Sequence, residues 1–119
     1  MTRGNGAPAM RYEFGSSAAE VGRDPAATRI VLTGDLDMST APRVRAIVEA
    51  ACAGNPGAVV LDLSALDFVD SHGFQLLVAT HKAAAGNGCE LVLLPPHGPV
   101  RRAFEITGLD HLFGEAVAE

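Results

Sequence analysis

Four consecutive residues, Asp70-Ser71-His72-Gly73, set a hydroxyl between a carboxylate and an imidazole, directly before an apolar helical pattern. Serine in that position can close the N-terminus of a helix, accept a phosphoryl group or attack an acyl centre. As an N-cap, the Ser71 hydroxyl would accept from the amide of Gly73 or Phe74, and its replacement by alanine would cost about 1 kcal/mol. As a phosphoryl acceptor, it would place the new group against free amides and the positive end of the helix dipole. The modification adds about −1.5 to −2 charge beside Asp70, and near Asp35 and Asp37 if their loop is adjacent. A docked partner would then be repelled while the fold survives.

Nucleophilic catalysis fits less well. The Gly-x-Ser-x-Gly elbow is absent, since Val69 stands two residues before Ser71, and an adjacent histidine points elsewhere at a helix start. Asp35, Asp37, Asp62, Asp67 and Asp70 are read as turn and cap residues rather than as a divalent-ion site. The histidines at 72, 81, 97 and 111 have no paired ligand spacing, so no metal site and no cofactor are expected.

The elements that must position Ser71 follow from hydrophobic period. Residues 59–63, Val-Val-Leu-Asp-Leu, read as a strand covered on both faces, followed by an acidic loop over 64–73. Phe74, Leu77, Val78 and His81 form the stripe of the next helix, which stops at Gly86-Asn-Gly88. Upstream, residues 10–14 alternate as an edge strand, 15–25 read as a loop, and 29–33 form a second strand ended by Gly34, the two strands pairing antiparallel. Ser39 or Thr40 then caps a helix with Pro42 in its first turn and Val44, Ile47, Val48, Ala51 and Cys52 on one face, closed by a turn at residues 54–57. Residues 91–94 form a further strand. Val100, Ala103, Phe104 and Thr107 define the inner face of a third helix stopped by Gly108, and residues 112–117 make a last strand or helix. Alternating strands and helices imply an α/β domain with a mixed, mainly parallel sheet of four to five strands. Its ligands gather at the carboxyl ends of the strands, where loops 34–40 and 64–73 should be neighbours.

With 48% hydrophobic and 19% charged residues, the chain suits a single compact domain over 10–119 after a flexible tail at 1–9. A net charge of −5 disfavours direct nucleic-acid contact and permits a basic protein partner. No apolar run approaches the ~18 residues needed to span a bilayer, and the first ten residues lack a secretory apolar stretch, so a cytoplasmic address without membrane insertion is expected. Cys52 and Cys89 are read as two buried small hydrophobes in a reducing compartment.

Three segments together resemble the STAS domains, and within them the bacterial anti-sigma factor antagonists. Ile30-Val-Leu-Thr-Gly34-Asp-Leu-Asp37 is similar to the family's strand ending in Gly, an acidic residue, Leu and Asp. Leu61-Asp-Leu-Ser-Ala-Leu-Asp-Phe-Val-Asp70-Ser71-His72-Gly73 resembles its Asp-Ser-Ser/Thr-Gly phosphorylation motif, with His72 replacing the small hydroxyl residue. Val100-Arg-Arg-Ala-Phe-Glu-Ile-Thr-Gly-Leu109 is similar to its third helix. The resemblance implies that unmodified Ser71 leaves the domain bound to an anti-sigma factor of histidine-kinase-like ATPase fold, and that phosphorylation of Ser71 by this partner releases it. A serine phosphatase would reverse the modification. It also implies a docking edge of Gly34, Asp35, Asp37, Asp70, His72 and Gly73, with the chain as substrate rather than enzyme. The same family includes unphosphorylated scaffold subunits and partners of lipid transporters, which stand as the alternative.

Overall fold

The computed structural model describes residues 10–23, 27–54 and 57–113. A five-stranded sheet runs in the order β1-β2-β3-β4-β5, and it is evenly mixed rather than mainly parallel. The strands β1 (Met10–Phe14), β2 (Ser17–Arg23) and β3 (Thr28–Leu36) pair antiparallel in sequence. Parallel pairing joins β3 to β4 (Ala58–Val69) through helix α1 (Ala41–Ala53), and β4 to β5 (Glu90–Leu94) through α2 (Ser71–Gly86). Helix α3 (Gly98–Thr107) and a 3-10 turn (Asp110–Leu112) follow, and Phe113 bridges to Leu93. The expected tail at 1–9 and the end of the 112–117 element lie outside the described residues, as does part of the turn at 54–57.

Two expectations about the first strands fail for one reason. Residues 15–25 hold the strand β2, which separates β1 from β3, so β1 and β3 do not pair. Ser-Ala-Ala-Glu-Val-Gly-Arg has little of the β-branched and aromatic content that marks strands. Its pairing comes instead from a two-residue turn at Gly15-Ser16, where Gly15 takes φ 69°, and from burial of Ala18, Ala19 and Val21. The first residue of β2 packs hard against β3: a Cβ on Gly34, itself at φ 88°, would lie 2.6 Å from Ser17 Oγ, so β3 needs a glycine there.

Strand β4 continues to Val69, well beyond the expected end at Leu63. Over its second half only every third residue (Leu66, Val69) is buried, because two bulges each place an extra β4 residue against β3. In the first half Val59, Leu61 and Leu63 are fully buried while Val60 is half-buried, so the strand is not equally covered on its two faces. The buried side of β3 (Ile30, Leu32, Leu36) and of β5 (Leu91, Leu93) lines up with it. Against this face lie Val44, Val48 and Ala51 of α1 and Gly73, Leu76, Leu77, Thr80 and Ala84 of α2. The α2 stripe is thus rotated from the one expected, with Phe74, Val78 and His81 at its half-buried margin. Phe104 of α3 is fully buried, edge-on to Phe74 at 4.8 Å between ring centres, whereas Thr107 is exposed.

Asp62 is the one buried carboxylate among the described residues. Burial alone would raise its pKa; the Ser64 hydroxyl and amide and the Arg29 guanidinium, 2.6 Å away, outweigh that and hold it below the ordinary aspartate value.

Cys52 and Cys89 are not separate thiols but form a disulfide, with Cα atoms 5.7 Å apart. Although 37 residues part them in sequence, the end of α1 returns to the edge at which β5 begins. Cross-linking a loop of that length restricts the unfolded chain. Reductant should therefore lower the stability measured by denaturant unfolding by about 4 kcal/mol, and a midpoint indifferent to reductant would show that the two thiols stand apart in solution.

Candidate functional site

The carboxyl ends of β3 and β4 finish side by side, with Asp35 opposite Phe68 and Leu36 opposite Val69. The chain then leaves β3 through Asp37–Thr40 and leaves β4 through Asp70 alone. The two exits are tied together: the Asp70 amide donates to the Leu36 carbonyl at 3.2 Å. The expected proximity of the two loops is therefore present, although strand occupies most of the segment read as an acidic loop.

Asp70, rather than Ser71, is the N-cap of α2. Its Oδ1 accepts from the amides of His72 at 2.9 Å and Gly73 at 3.2 Å, and its carbonyl accepts from the Phe74 amide. Both residue types cap well, and the choice falls to the one whose backbone is still extended, here φ −113°, ψ −172°. Ser71 becomes the first helical residue, exposed, and among the described residues no hydrogen bond engages its hydroxyl. This corrects the expected chemistry of a phosphoryl group as well. The second- and third-position amides are already taken by a carboxylate, so a phosphate on Ser71 would stand in solvent beside Asp70. Its charge would remain largely uncompensated by the chain.

His72 is exposed, with Nδ1 turned to within 3.7 Å of Asp70 Oδ1 and no hydrogen bond to Ser71 among the described residues. Gly73 is buried. A Cβ there would come within 2.5 Å of the Leu36 carbonyl oxygen and 2.6 Å of a Val69 methyl, so glycine is what lets the first turn of α2 settle on the end of β3. Gly34 has the matching part on the other side, against Ser17.

On the β3 exit neither Ser39 nor Thr40 caps α1 with its side chain, contrary to expectation. Thr40 Oγ1 instead donates to the Asp35 carbonyl at 2.8 Å and accepts from the Asp37 amide at 2.9 Å. Asp37 is the acceptor: Oδ1 receives the Ser39 hydroxyl at 2.8 Å and the amides of Ser39 and Thr40 at 2.9 and 3.1 Å. The Ser39 hydroxyl, more than the two amides, draws the Asp37 pKa below its ordinary value. Asp35 is half-buried and fixed through its backbone, its amide donating to Ser17 Oγ at 2.9 Å. Sequence reasoning overlooked Ser17, which lay in a segment read as loop.

It also overlooked the apolar surround. Met38 is 66% exposed and Phe68 50%, both at the strand ends that carry the acidic residues. Between α1 and α2 a groove of about 520 Å³ opens at His72 and is lined by Met38, Pro42, Arg45, Gln75 and Leu76. An exposed hydroxyl, carboxylates at one rim and apolar side chains between them suit the docking of a protein, not the enclosure of a small substrate. Among the described residues no three His, Cys, Asp or Glu side chains gather as metal ligands, and no helix is long and apolar enough to cross a membrane.

The family model described as "Mlab, STAS domain" matches residues 19–114. The anti-sigma-F factor antagonist RsfB of Mycobacterium tuberculosis is 32% identical over 67% of this chain, and the match spans 65% of that relative's length. An anti-sigma-B factor antagonist of Listeria monocytogenes is 31% identical over 76% of this chain and 79% of its own. Among solved structures, an anti-sigma factor antagonist from Mycobacterium paratuberculosis superposes with TM-score 0.72 at 33% identity, covering 82% of this chain and 83% of that one. SpoIIAA in its unphosphorylated form shares the fold, with TM-score 0.67 at 22% identity, over 81% of this chain and 85% of its own.

Two measurements check the site. Asp70→Ala should cost about 1 kcal/mol in denaturant unfolding whereas Ser71→Ala leaves the midpoint nearly unchanged; the reverse order would return the cap to Ser71. By carbon-detected NMR titration the Asp37 carboxyl should have a midpoint below the ordinary aspartate value of about 3.9. Because its folded pKa is depressed, its contribution to stability is present above that ordinary value and fades as pH falls through the folded one. A midpoint at or above the ordinary value would mean the Ser39 and Thr40 bonds are not held in solution.

Proposed function

The chain belongs to the STAS family, and we propose that within it the protein acts as an anti-sigma factor antagonist whose grip on its partner is controlled at Ser71. The observation that carries this reading is a serine at the tip of α2, open to solvent and relieved of capping by Asp70. The names of its relatives in Mycobacterium and Listeria support the choice of partner.

In this reading the unmodified rim holds an anti-sigma factor with serine kinase activity, and so frees a sigma factor. Asp35, Asp37 and Asp70 present carboxylates matched by basic groups on the partner, and His72 adds a polar ring beside them. Met38, Phe68 and the α1–α2 groove add the apolar ones. Gly34 and Gly73 contribute shape, through the close approaches they permit. The kinase supplies the nucleotide: the γ-phosphoryl of ATP passes to Ser71 Oγ, and ADP and the hydroxyl proton leave. Two added charges then stand beside Asp70 with no free second- or third-position amide to receive them. They face the partner's surface, and the complex separates. A serine phosphatase restores the binding state. The chain is thus a regulated ligand and a kinase substrate, with no catalytic residue of its own.

Purified protein mixed with candidate anti-sigma kinases and ATP should gain one phosphoryl group at Ser71 by mass spectrometry. In calorimetric titration Ser71→Ala should bind as tightly as the unmodified protein and resist release by ATP. Ser71→Asp should bind about 100-fold more weakly, the size of a few kcal/mol of like-charge and desolvation cost. Equal affinity for the three proteins would overturn the switch while leaving the fold untouched.

A further inference from the structure

The outer edge of β1 is a second surface, remote from the helix that bears Ser71, and no described strand covers it. Phe14 and Ser17 flank a two-residue turn, so they form a hydrogen-bonded pair across β1 and β2. Pairing alternates along an antiparallel ladder, so Tyr12 and Met10 also direct their backbone groups toward β2. The N–H and C=O of Arg11 and Glu13 are therefore the ones left on the open edge.

The strand reads Met-Arg-Tyr-Glu-Phe, and this order is self-complementary when reversed. Within its own chain Arg11 holds Glu13 at 2.8 Å and Glu20 at 2.9 Å, both pairs exposed. A second copy laid antiparallel with Tyr12 opposite Tyr12 sets Arg11 against the other copy's Glu13 twice, joining these pairs into one network, and Met10 against Phe14 twice. That register also satisfies the backbone, because the outward-facing residues meet each other. Arg11 and Glu13 exchange two hydrogen bonds on each side of the axis, and the Tyr12 pair occupies the close, non-bonded site. Met10 and Tyr12 are 51% and 38% exposed, unusual for large apolar side chains on an edge that no described strand covers. On the same face, a groove of about 300 Å³ between β1 and α1 is lined by Tyr12, Phe14, Arg43 and Ile47, and the partner's Met10 would fall at its mouth, opposite Phe14.

We propose that this edge pairs two copies of the chain into a two-fold dimer with one continuous ten-stranded sheet. Since β1 runs parallel to β3, the two-fold axis sends the two Ser71 rims to opposite ends of that sheet. Each remains open to its own partner. The proposal does not depend on phosphorylation.

Sedimentation equilibrium of the full chain should show a reversible monomer–dimer system with a dissociation constant on the order of 100 µM, the regime of small interfaces. Glu13→Arg, which sets Arg11 against arginine, should weaken it about tenfold, and the triple variant R11E/E13R/E20R, which reverses the charges while keeping the pair across to β2, should regain most of the loss. Arg11→Pro removes an outward donor without touching the β1–β2 ladder and should abolish the dimer. Circular dichroism confirms that each variant is folded; should the proline variant unfold, the charge pair decides alone. A chain that stays monomeric to about 1 mM, or dimers equally strong in Glu13→Arg, would overturn the assignment.

Discussion

The rim is organised by how closely the start of α2 approaches the end of β3. At Gly73 there is no room for even one methyl group between the helix and the Leu36 carbonyl, and the Asp70 amide is bonded to that same oxygen. This contact fixes where β4 ends, and therefore which residue is still extended when the helix begins. Asp70 is left at the cap, and Ser71 is carried one step onto the helix, facing outward. A side chain at position 73 would push the helix away, and the acidic loop after β3 and the hydroxyl on α2 would no longer share a surface.

The periodic parts of this arrangement were readable before any coordinates. Helix α1, the stop of α2 at Gly86, β5 and the αL stop at Gly108 all follow from apolar spacing and glycine placement, and the neighbouring of the two loops follows from parallel topology alone. What escaped has physical causes. Strand β2, Ser-Ala-Ala-Glu-Val-Gly-Arg, carries almost no strand propensity of its own and is held by its pairing with β1 and β3. The second half of β4 buries one residue in three because of its bulges, a rhythm that matches neither strand nor helix. Asp70 and Ser71 are equally good caps in isolation, and only a tertiary hydrogen bond separates them. The Cys52–Cys89 pairing depends on a return path that spacing along the chain does not reveal.

Charged and apolar groups share the rim. Asp37 spends its carboxylate on the turn before α1 and Asp70 spends its own on α2, so both are held in place by the amides they serve. Acidic groups fixed in this way cost little further ordering when another protein arrives. Met38 and Phe68 surround them without joining the core. Such a surface is rigid where it is charged and greasy where it is exposed, a combination that favours recognition by shape and sign over enclosure.

Because the helix is closed by its neighbour, position 71 is free of architectural duty. Loss of the hydroxyl in a single step would yield a protein that folds as before and, on the reading proposed above, is no longer released from its partner. A change at this position leaves little trace in stability, so the fold places no constraint of its own on which side chain stands there.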